Sequence, residues 1–285
     1  MKIGIVGLGL IGGSLGRTIV ARTSHTVYAY DTDEKSLKTG LLVKAYHEVL
    51  TEDKIGELDI IIFALYPKAI ENILPIYAPK LKKGAIVMDC CGNKRQVVAL
   101  MRELKGKYGD LEFIGAHPMA GREFSGVKHS TATLYDRASM IIVPIENSLK
   151  TLSLVKEFVL SLGFGSVVVT TAEKHDEIIA YTSQLAHVVS SSYIKSPTAQ
   201  QYLGFSAGSF RDMTRVARLS PEMWSQLMME NRENLLREIE EMKKNLSDYA
   251  TALENADMDE LKKLLADGTE KKLLAEKQKN SKIND

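Results

Sequence analysis

Cysteine is nearly absent: the 285-residue chain has two, Cys90 and Cys91, side by side. Adjacent cysteines are badly placed to bridge each other or to share a metal ion, so neither a disulfide framework nor a metal site is expected. Apolar runs are also short. The longest, such as IIIFAL at 60–65, fall far below the roughly 20 residues needed to cross a bilayer. The N-terminus opens into a strand pattern rather than a cleavable leader, so a cytoplasmic protein without a membrane partner is expected. Neither sign of charge is in excess: 37 Lys and Arg face 36 Asp and Glu, with no basic stripe outside the extreme C-terminus. A nucleic-acid partner is therefore not expected.

What the chain does have is length enough for two domains, and a change of texture partway along it. The first half alternates β-branched runs with amphipathic segments, the pattern of βαβ units around a parallel sheet. KIGIV (2–6), TVYAYD (26–31), DIIIFAL (59–65), AIVMD (85–89), EFIGA (112–116), SMIIVPI (139–145) and SVVVTT (166–171) read as strands. Beyond 171 the periodicity is helical. The expectation is an α/β Rossmann-like domain over 1–171 followed by an all-α domain over 172–285. Ser220, Pro221 and Glu222 predict the start of the longest helix, with Ser220 as its capping side chain. The final KKLLAEKQKNSKIND reads as a fraying tail.

KIGIVGLGLIGGSLGRTI carries Gly7, Gly9 and Gly12 in G-x-G-x-x-G spacing. Alone, that spacing is a weak signal. Here it follows a strand, opens a helix, and precedes a second strand ending in Asp31, the context of a dinucleotide site. Gly7 permits the turn, Gly9 lets the backbone approach a pyrophosphate, and Gly12 allows close helix packing, with Leu8 and Ile11 in the same loop. Asp31 can bind ribose hydroxyls and would repel a 2′-phosphate, which favours NAD over NADP. Leu65, at the end of one later strand, and Gly92, just beyond another, are further candidates for the cofactor surface. Tyr66 is either a cover for the cofactor or a turn residue before Pro67.

His117 follows the EFIGA strand, on the rim where the ligands of such sheets lie. An NAD enzyme oxidising an alcohol must remove a hydroxyl proton, and imidazole titrates near neutrality. Position alone leaves two readings open, a proton acceptor or a strand-end residue capping backbone groups.

HPMAGRE (117–123) resembles the HPxAG-x-E motif of the prephenate dehydrogenase family, which includes arogenate dehydrogenases. GLGLIGGSLG (7–16), SQLAH (183–187), AGSFRDMTRVA (207–217) and PEMW (221–224) follow in that family's order, so the resemblance covers nearly the whole chain. It implies a Rossmann-like domain, a helical domain forming a homodimer, and NAD-dependent oxidative decarboxylation of prephenate to 4-hydroxyphenylpyruvate in tyrosine biosynthesis. The resemblance makes His117 the base or hydrogen-bond acceptor at the ring hydroxyl. It places His187 along the substrate pocket, Arg215 on a substrate carboxylate and Glu123 at the pocket entrance. Prephenate is a dianion, so its pocket needs cations, and Arg211 would share a face with Arg215 if FRDMTRVA is helical. Trp224, Met228 and Met229 read as core or dimer packing.

Two departures from the family stand out. Many members of that family carry a serine in D-x-x-S-x-K, whereas this chain reads DCCGNK from Asp89 to Lys94, with Gly92 at that place. Asn93 or an ordered water is a candidate to replace the hydroxyl at the substrate, or His117 is oriented differently. Gln184 stands where some relatives have another histidine, and Arg122 adds a charge near the entrance. The alternatives are an arogenate dehydrogenase and, more distantly, a β-hydroxyacid dehydrogenase or a non-catalytic NAD-binding protein.

Overall fold

The computed structural model describes residues 1–281. Its sheet has eight strands: β1 (Lys2–Val6), β2 (Thr26–Tyr30), β3 (Glu48–Val49), β4 (Ile60–Phe63), β5 (Ile86–Asp89), β6 (Glu112–Pro118), β7 (Ser139–Pro144) and β8 (Ser166–Val169). Their spatial order is β3-β2-β1-β4-β5-β6-β7-β8. Strands β1 to β6 are mutually parallel, β6 and β7 pair antiparallel, and β8 runs parallel to β7. Six helices lie between the strands: α1 (Leu10–Arg22), α2 (Glu34–Leu42), α3 (Glu52–Ile55), α4 (Pro67–Tyr77), α5 (Arg95–Lys107) and α6 (Leu149–Ser161). Strand order reverses between β1 and β4, which opens a crevice at the carboxyl ends of those strands.

Both faces of the central strands are covered, which is why they read as nearly continuous apolar runs. Ile3 and Ile5 point into one core with Leu15 and Ile19 of α1. Val6 points into the other with Ile61, Phe63 and Ile70. Burying each such side chain contributes about 1.5–3 kcal/mol. Strand β3 lies outside the sequence expectation because its two residues are too few to show a period. Strand β6 continues two residues past the expected end. Antiparallel β7 supplies a ladder for them, pairing His117 with Ile141 and Pro118 with Met140. Pro118 is tolerated as the strand's last residue, where a missing N–H costs little.

After β8 come α7 (Ala172–Ile179), a π-helical stretch (Ala180–Leu185), α8 (Ala186–Tyr193), α9 (Gly208–Thr214), α10 (Pro221–Glu230), α11 (Arg232–Glu254) and α12 (Met258–Ser281). No strand follows β8 among the described residues. The single long helix expected from Pro221 is two. Asn231, with φ −108° and ψ 21°, breaks it, because its buried amide is drawn to the Asp176 carbonyl (2.8 Å) and to Gln184 Oε1 (3.0 Å). Ser220 does sit at the N-cap of α10, but its side chain makes no capping hydrogen bond.

The chain divides into two compact units, Met1–Arg232 and a second from Glu233 onward. In the second, Asp257 Oδ1 caps α12 by accepting from Asp259 N and Glu260 N, at 3.1 and 2.9 Å. The expected fraying tail is instead helical as far as Ser281, and its last four residues lie outside the described ones. Ion pairs one helical turn apart, Lys271 to Asp267 and Lys272 to Glu276, support that end of the helix. No described helix is long and apolar enough to cross a membrane.

Candidate active site

The glycine turn after β1 is built by backbone constraints. Gly7 has φ +97°, and a Cβ there would lie 2.5 Å from the Ala64 carbonyl and 2.8 Å from Leu65 Cδ2. Only glycine lets β1 and β4 end this close. A Cβ on Gly12 would fall 1.9 Å from the Gly7 carbonyl oxygen, whereas one on Gly9 would meet nothing within 4 Å. Gly9 therefore faces open space at the start of α1, which has no side-chain cap and no acidic residue in its first turn. Asp31 closes the far side. Its Oδ2 accepts from Leu8 N at 2.6 Å and its Oδ1 from Asp33 N at 2.9 Å, with lone pairs left for hydroxyl donors.

These residues fit a dinucleotide. Uncapped amides and the positive end of α1 suit a pyrophosphate, and Asp31 suits ribose hydroxyls. The remaining predicted cofactor residues divide. Leu65 lines the crevice beside Gly7. Leu8 is fully buried with its N–H held by Asp31, so it shapes the loop instead of offering a free donor. Ile11 packs against the core and its carbonyl accepts from Tyr135 Oη at 2.7 Å. Tyr66 is the N-cap of α4, with Pro67 in the first turn.

Gly92 faces α10. A Cβ there would lie 3.1 Å from Leu227 Cδ2, so any side chain, serine included, would press on that leucine. The absent serine and the present Leu227 are two sides of one packing solution. Asn93 does not replace the missing hydroxyl. It is 4% exposed, its Nδ2 donates to the Leu227 carbonyl (2.7 Å) and to Glu230 (3.2 Å), and its Oδ1 accepts from Gln184 Nε2 (3.0 Å). The expectation of Asn93 at the substrate is therefore corrected: its amide joins Gln184 and Asn231 in a buried network that seats α10. Burial raises the Glu230 carboxyl above its ordinary range, against the opposing bond from Asn93.

The rim of β5 and β6 holds the charged centre. Asp89, at the end of β5, accepts from Cys91 N (2.8 Å) and from Ala116 N (2.9 Å), and pairs with the Lys94 ammonium. Both members of that pair are wholly buried. Next to it, His117 Nδ1 lies 2.9 Å from His175 Nε2, and His175 Nδ1 lies 2.7 Å from Asp176 Oδ1. Asp176 also accepts from the amides of Lys94 (2.7 Å) and Arg95 (3.0 Å), which fixes α7 to the start of α5. Burial, then the Lys94 ammonium and His175, push the His117 imidazole well below its ordinary pKa. Burial also lowers His175, against the pull of Asp176. For Asp176 burial acts upward, but bonds from His175, Arg95 and Lys94 outweigh it and hold the carboxyl below its usual range. Burial pushes both cysteine thiols up, so neither is a nucleophile here.

The helical segment completes the surroundings. The π-helical turn between α7 and α8 adds a residue to the turn and resets which side chains face inward, a feature common at functional sites. It buries Gln184. His187, on α8, has Nδ1 3.0 Å from the Val216 carbonyl, so Nδ1 donates and Nε2 is left as the acceptor. Its ring packs 4.0 Å from that of Trp224, giving Trp224 a role in holding His187 that packing alone did not suggest. Met229 is exposed. Burial, and to a lesser degree Arg215, lower the His187 pKa. Arg215 ends α9 and its guanidinium pairs with Glu123, six residues beyond His117. A backbone bond within Glu123 and the Arg215 contact hold that carboxyl below its usual range. Arg211 lies one turn before Arg215 on the same face, since Arg215 N bonds the Arg211 carbonyl (2.9 Å), and it is exposed, as is Arg122. Arg215 thus ties the loop after His117 to α9, its neighbour Val216 ties α9 to His187 on α8, and His117 itself is tied to α7 through His175.

His175, Asp176 and the Asp89–Lys94 pair are absent from the sequence expectation. A His-Asp pair starting four residues past a helix-capping threonine is an ordinary helix-start pattern, and only the fold brings it to His117. Asp89 and Lys94 were visible as the ends of DCCGNK, but not as partners.

A sheet in this order, a glycine crevice closed by an acid and an imidazole on the rim define the class, an NAD-dependent dehydrogenase. Residues 15–169 match the nucleotide-binding domain of prephenate dehydrogenase and residues 171–267 its dimerization domain. The chain belongs to the prephenate dehydrogenase family. It is similar to the cyclohexadienyl dehydrogenase of Zymomonas mobilis, 29% identical over 269 residues that cover 91% of this chain and 90% of the relative. A prephenate dehydrogenase from A. aeolicus, solved with hydroxyphenyl propionate and NAD+, superposes with TM-score 0.84 at 26% identity, covering 96% of this chain and 98% of that one. The arogenate dehydrogenase of Synechocystis superposes with TM-score 0.79 at 25% identity, covering 95% and 99%.

Proposed function

We propose that this chain catalyses the NAD-dependent oxidative decarboxylation of prephenate to 4-hydroxyphenylpyruvate, in the cytoplasm and as a homodimer. In this reading residues 1–171 hold the cofactor, and residues 172–285 bind substrate and form the dimer. Bound in the glycine crevice, NAD supplies the hydride acceptor. His117 takes the ring hydroxyl proton as that carbon is oxidised. Loss of CO2 then aromatises the ring, so the protein's own task is positioning and electrostatics. Arg215 meets a substrate carboxylate with two parallel hydrogen bonds, Arg211 and Arg122 add positive charge, and Glu123 holds Arg215 at the mouth until a ligand anion takes its place. His187, with Nδ1 fixed by Val216, offers Nε2 as an acceptor to the ligand. Gly7, Gly9, Gly12 and Asp31 form the cofactor surface with Leu65.

The observation that supports this reading is the pair of contacts that link the loop after His117 to the helical segment, Glu123 to Arg215 and, one residue on, Val216 to His187. Arogenate carries an amine where prephenate has a keto group, and the Synechocystis neighbour acts on it by name. One experiment separates the two: initial rates of NADH or NADPH formation with prephenate and with arogenate, each with NAD and with NADP. Prephenate with NAD is expected to give the highest kcat/KM. A higher value for arogenate assigns the other substrate, and no rate with either removes the reading.

A further inference from the structure

Three hydrogen-bonding groups from two segments stand in line behind the rim: Asp176 and its neighbour His175 on α7, and His117 on β6. Each link has a polarity that the next must follow. The Asp176 carboxylate receives the backbone amides of Lys94 and Arg95 and the Arg95 Nε (3.3 Å), and an ionised carboxylate can only accept. The hydrogen in its contact with His175 must therefore sit on His175 Nδ1. A neutral imidazole carries one N–H, so His175 Nε2 has a lone pair and can only accept from His117 Nδ1. With its own single N–H engaged inward, His117 must keep Nε2 bare.

We propose that Asp176 and His175 are positioning residues that set the tautomer of His117, so that its Nε2 lone pair stands ready to accept a proton at the rim. The proposal rests on the reading of His117 as the proton acceptor. No proton travels along the chain. When Nε2 takes up the substrate hydroxyl proton, the positive charge stays on His117, and the ionised Asp176 offsets it across one imidazole. The charges around His117 make this arrangement matter. Lys94 lies close on the β5 side and opposes an imidazolium, its own charge matched by Asp89. Arg95 meets Asp176 from α5. Asp176 favours charge on His175 more than the Lys94-paired Asp89 does. It also substitutes for what Gly92 cannot do: with no serine hydroxyl to orient the ring, orientation comes from behind.

A rival account makes Asp176 only a cap for α5, and the two differ in what they predict for His117. In resting protein labelled with 15N at histidine, two-bond 1H–15N correlation reads the tautomer of each ring, and the His117 signals are those lost in His117→Asn. The expected spectrum has His117 protonated at Nδ1 and bare at Nε2, with His175 in the same form. A hydrogen on Nε2 of His117 overturns the proposal. Asp176→Asn presents an amide donor to His175 and should reverse the chain. The expected result is His117 in the Nε2–H form and kcat lowered about 100-fold or more, the scale of general-base loss, with KM and the NAD Kd within about threefold. A folded Asp176→Asn protein with an unchanged tautomer and near-normal kcat also overturns it.

His175→Phe leaves the Lys94 and Arg95 amides capped, so it tests the chain even where Asp176→Asn does not fold; kcat should fall similarly. His175→Gln, whose amide oxygen can accept from His117 Nδ1, should recover most of that loss. Full activity in His175→Phe counts against the proposal. The spectra need no substrate, so a wild-type protein inactive on both prephenate and arogenate fails the functional reading, whereas a wrong tautomer fails this one.

Discussion

Two ion pairs flank the proposed site, and they could hardly be less alike. Asp89 and Lys94 are both wholly buried, whereas Arg215 and Glu123 keep 61% and 35% of their side chains exposed. The buried pair is sealed by further bonds from Cys91 and Ala116 to Asp89, so neither charge can leave without stranding the other. The open pair joins a loop to the end of a short helix and lies within reach of water. The difference separates the fixed from the exchangeable: the first pair sets the field around His117, and the second can trade one carboxylate for another.

The largest effect expected follows from breaking the sealed pair. Lys94→Met leaves Asp89 charged and buried, and should lower stability by about 3–5 kcal/mol in urea unfolding. A loss below about 1 kcal/mol would mean that Lys94 is not holding that charge. Arg215→Ala should barely move the unfolding midpoint. It should instead raise KM for the dianionic substrate by about 10-fold to 100-fold, the scale of a lost charge-assisted hydrogen bond, with kcat less affected. An unchanged KM would place the substrate carboxylate elsewhere.

The imidazoles near the two pairs predict a pH response. His117, His175 and His187 all have folded-state pKa values below the ordinary 6.5. The unfolded chain therefore binds more protons as pH falls below about 6.5, and stability, full above that value, drops toward pH 5. Urea midpoints measured across this range should show it, with a shallower slope in His117→Asn. A flat profile would contradict the lowered values. The smallest effect belongs to Glu123→Gln. Its stability change should stay within about 1 kcal/mol and vanish in high salt, as for other exposed pairs.

How much of this the sequence disclosed depends on what kind of interaction built each part. The glycine crevice was legible because local backbone geometry makes it: Gly7, Gly12 and Asp31 lie within one βαβ unit and act through turns and close approach. The central strands were legible because both of their faces are buried. His117 was legible by its place after a strand, although its inclusion in β6 was not, since that depends on antiparallel β7. The link from His117 to the His175–Asp176 pair was hidden because it joins segments 58 residues apart. Asn93 was misread for a similar reason. A polar side chain next to a site suggests ligand contact, and nothing local reveals that Leu227 and Gln184 take up its amide. The break at Asn231 was also invisible, because the helical periodicity runs on while a buried amide contact interrupts the backbone.

All of these parts converge on His117 as the group that receives the proton. The most direct measurement is turnover of His117→Asn with prephenate and NAD beside an NAD titration of the same variant. The predicted result is a kcat at least about 100-fold below wild type with NAD affinity nearly unchanged. Near-normal turnover in that variant would contradict the account.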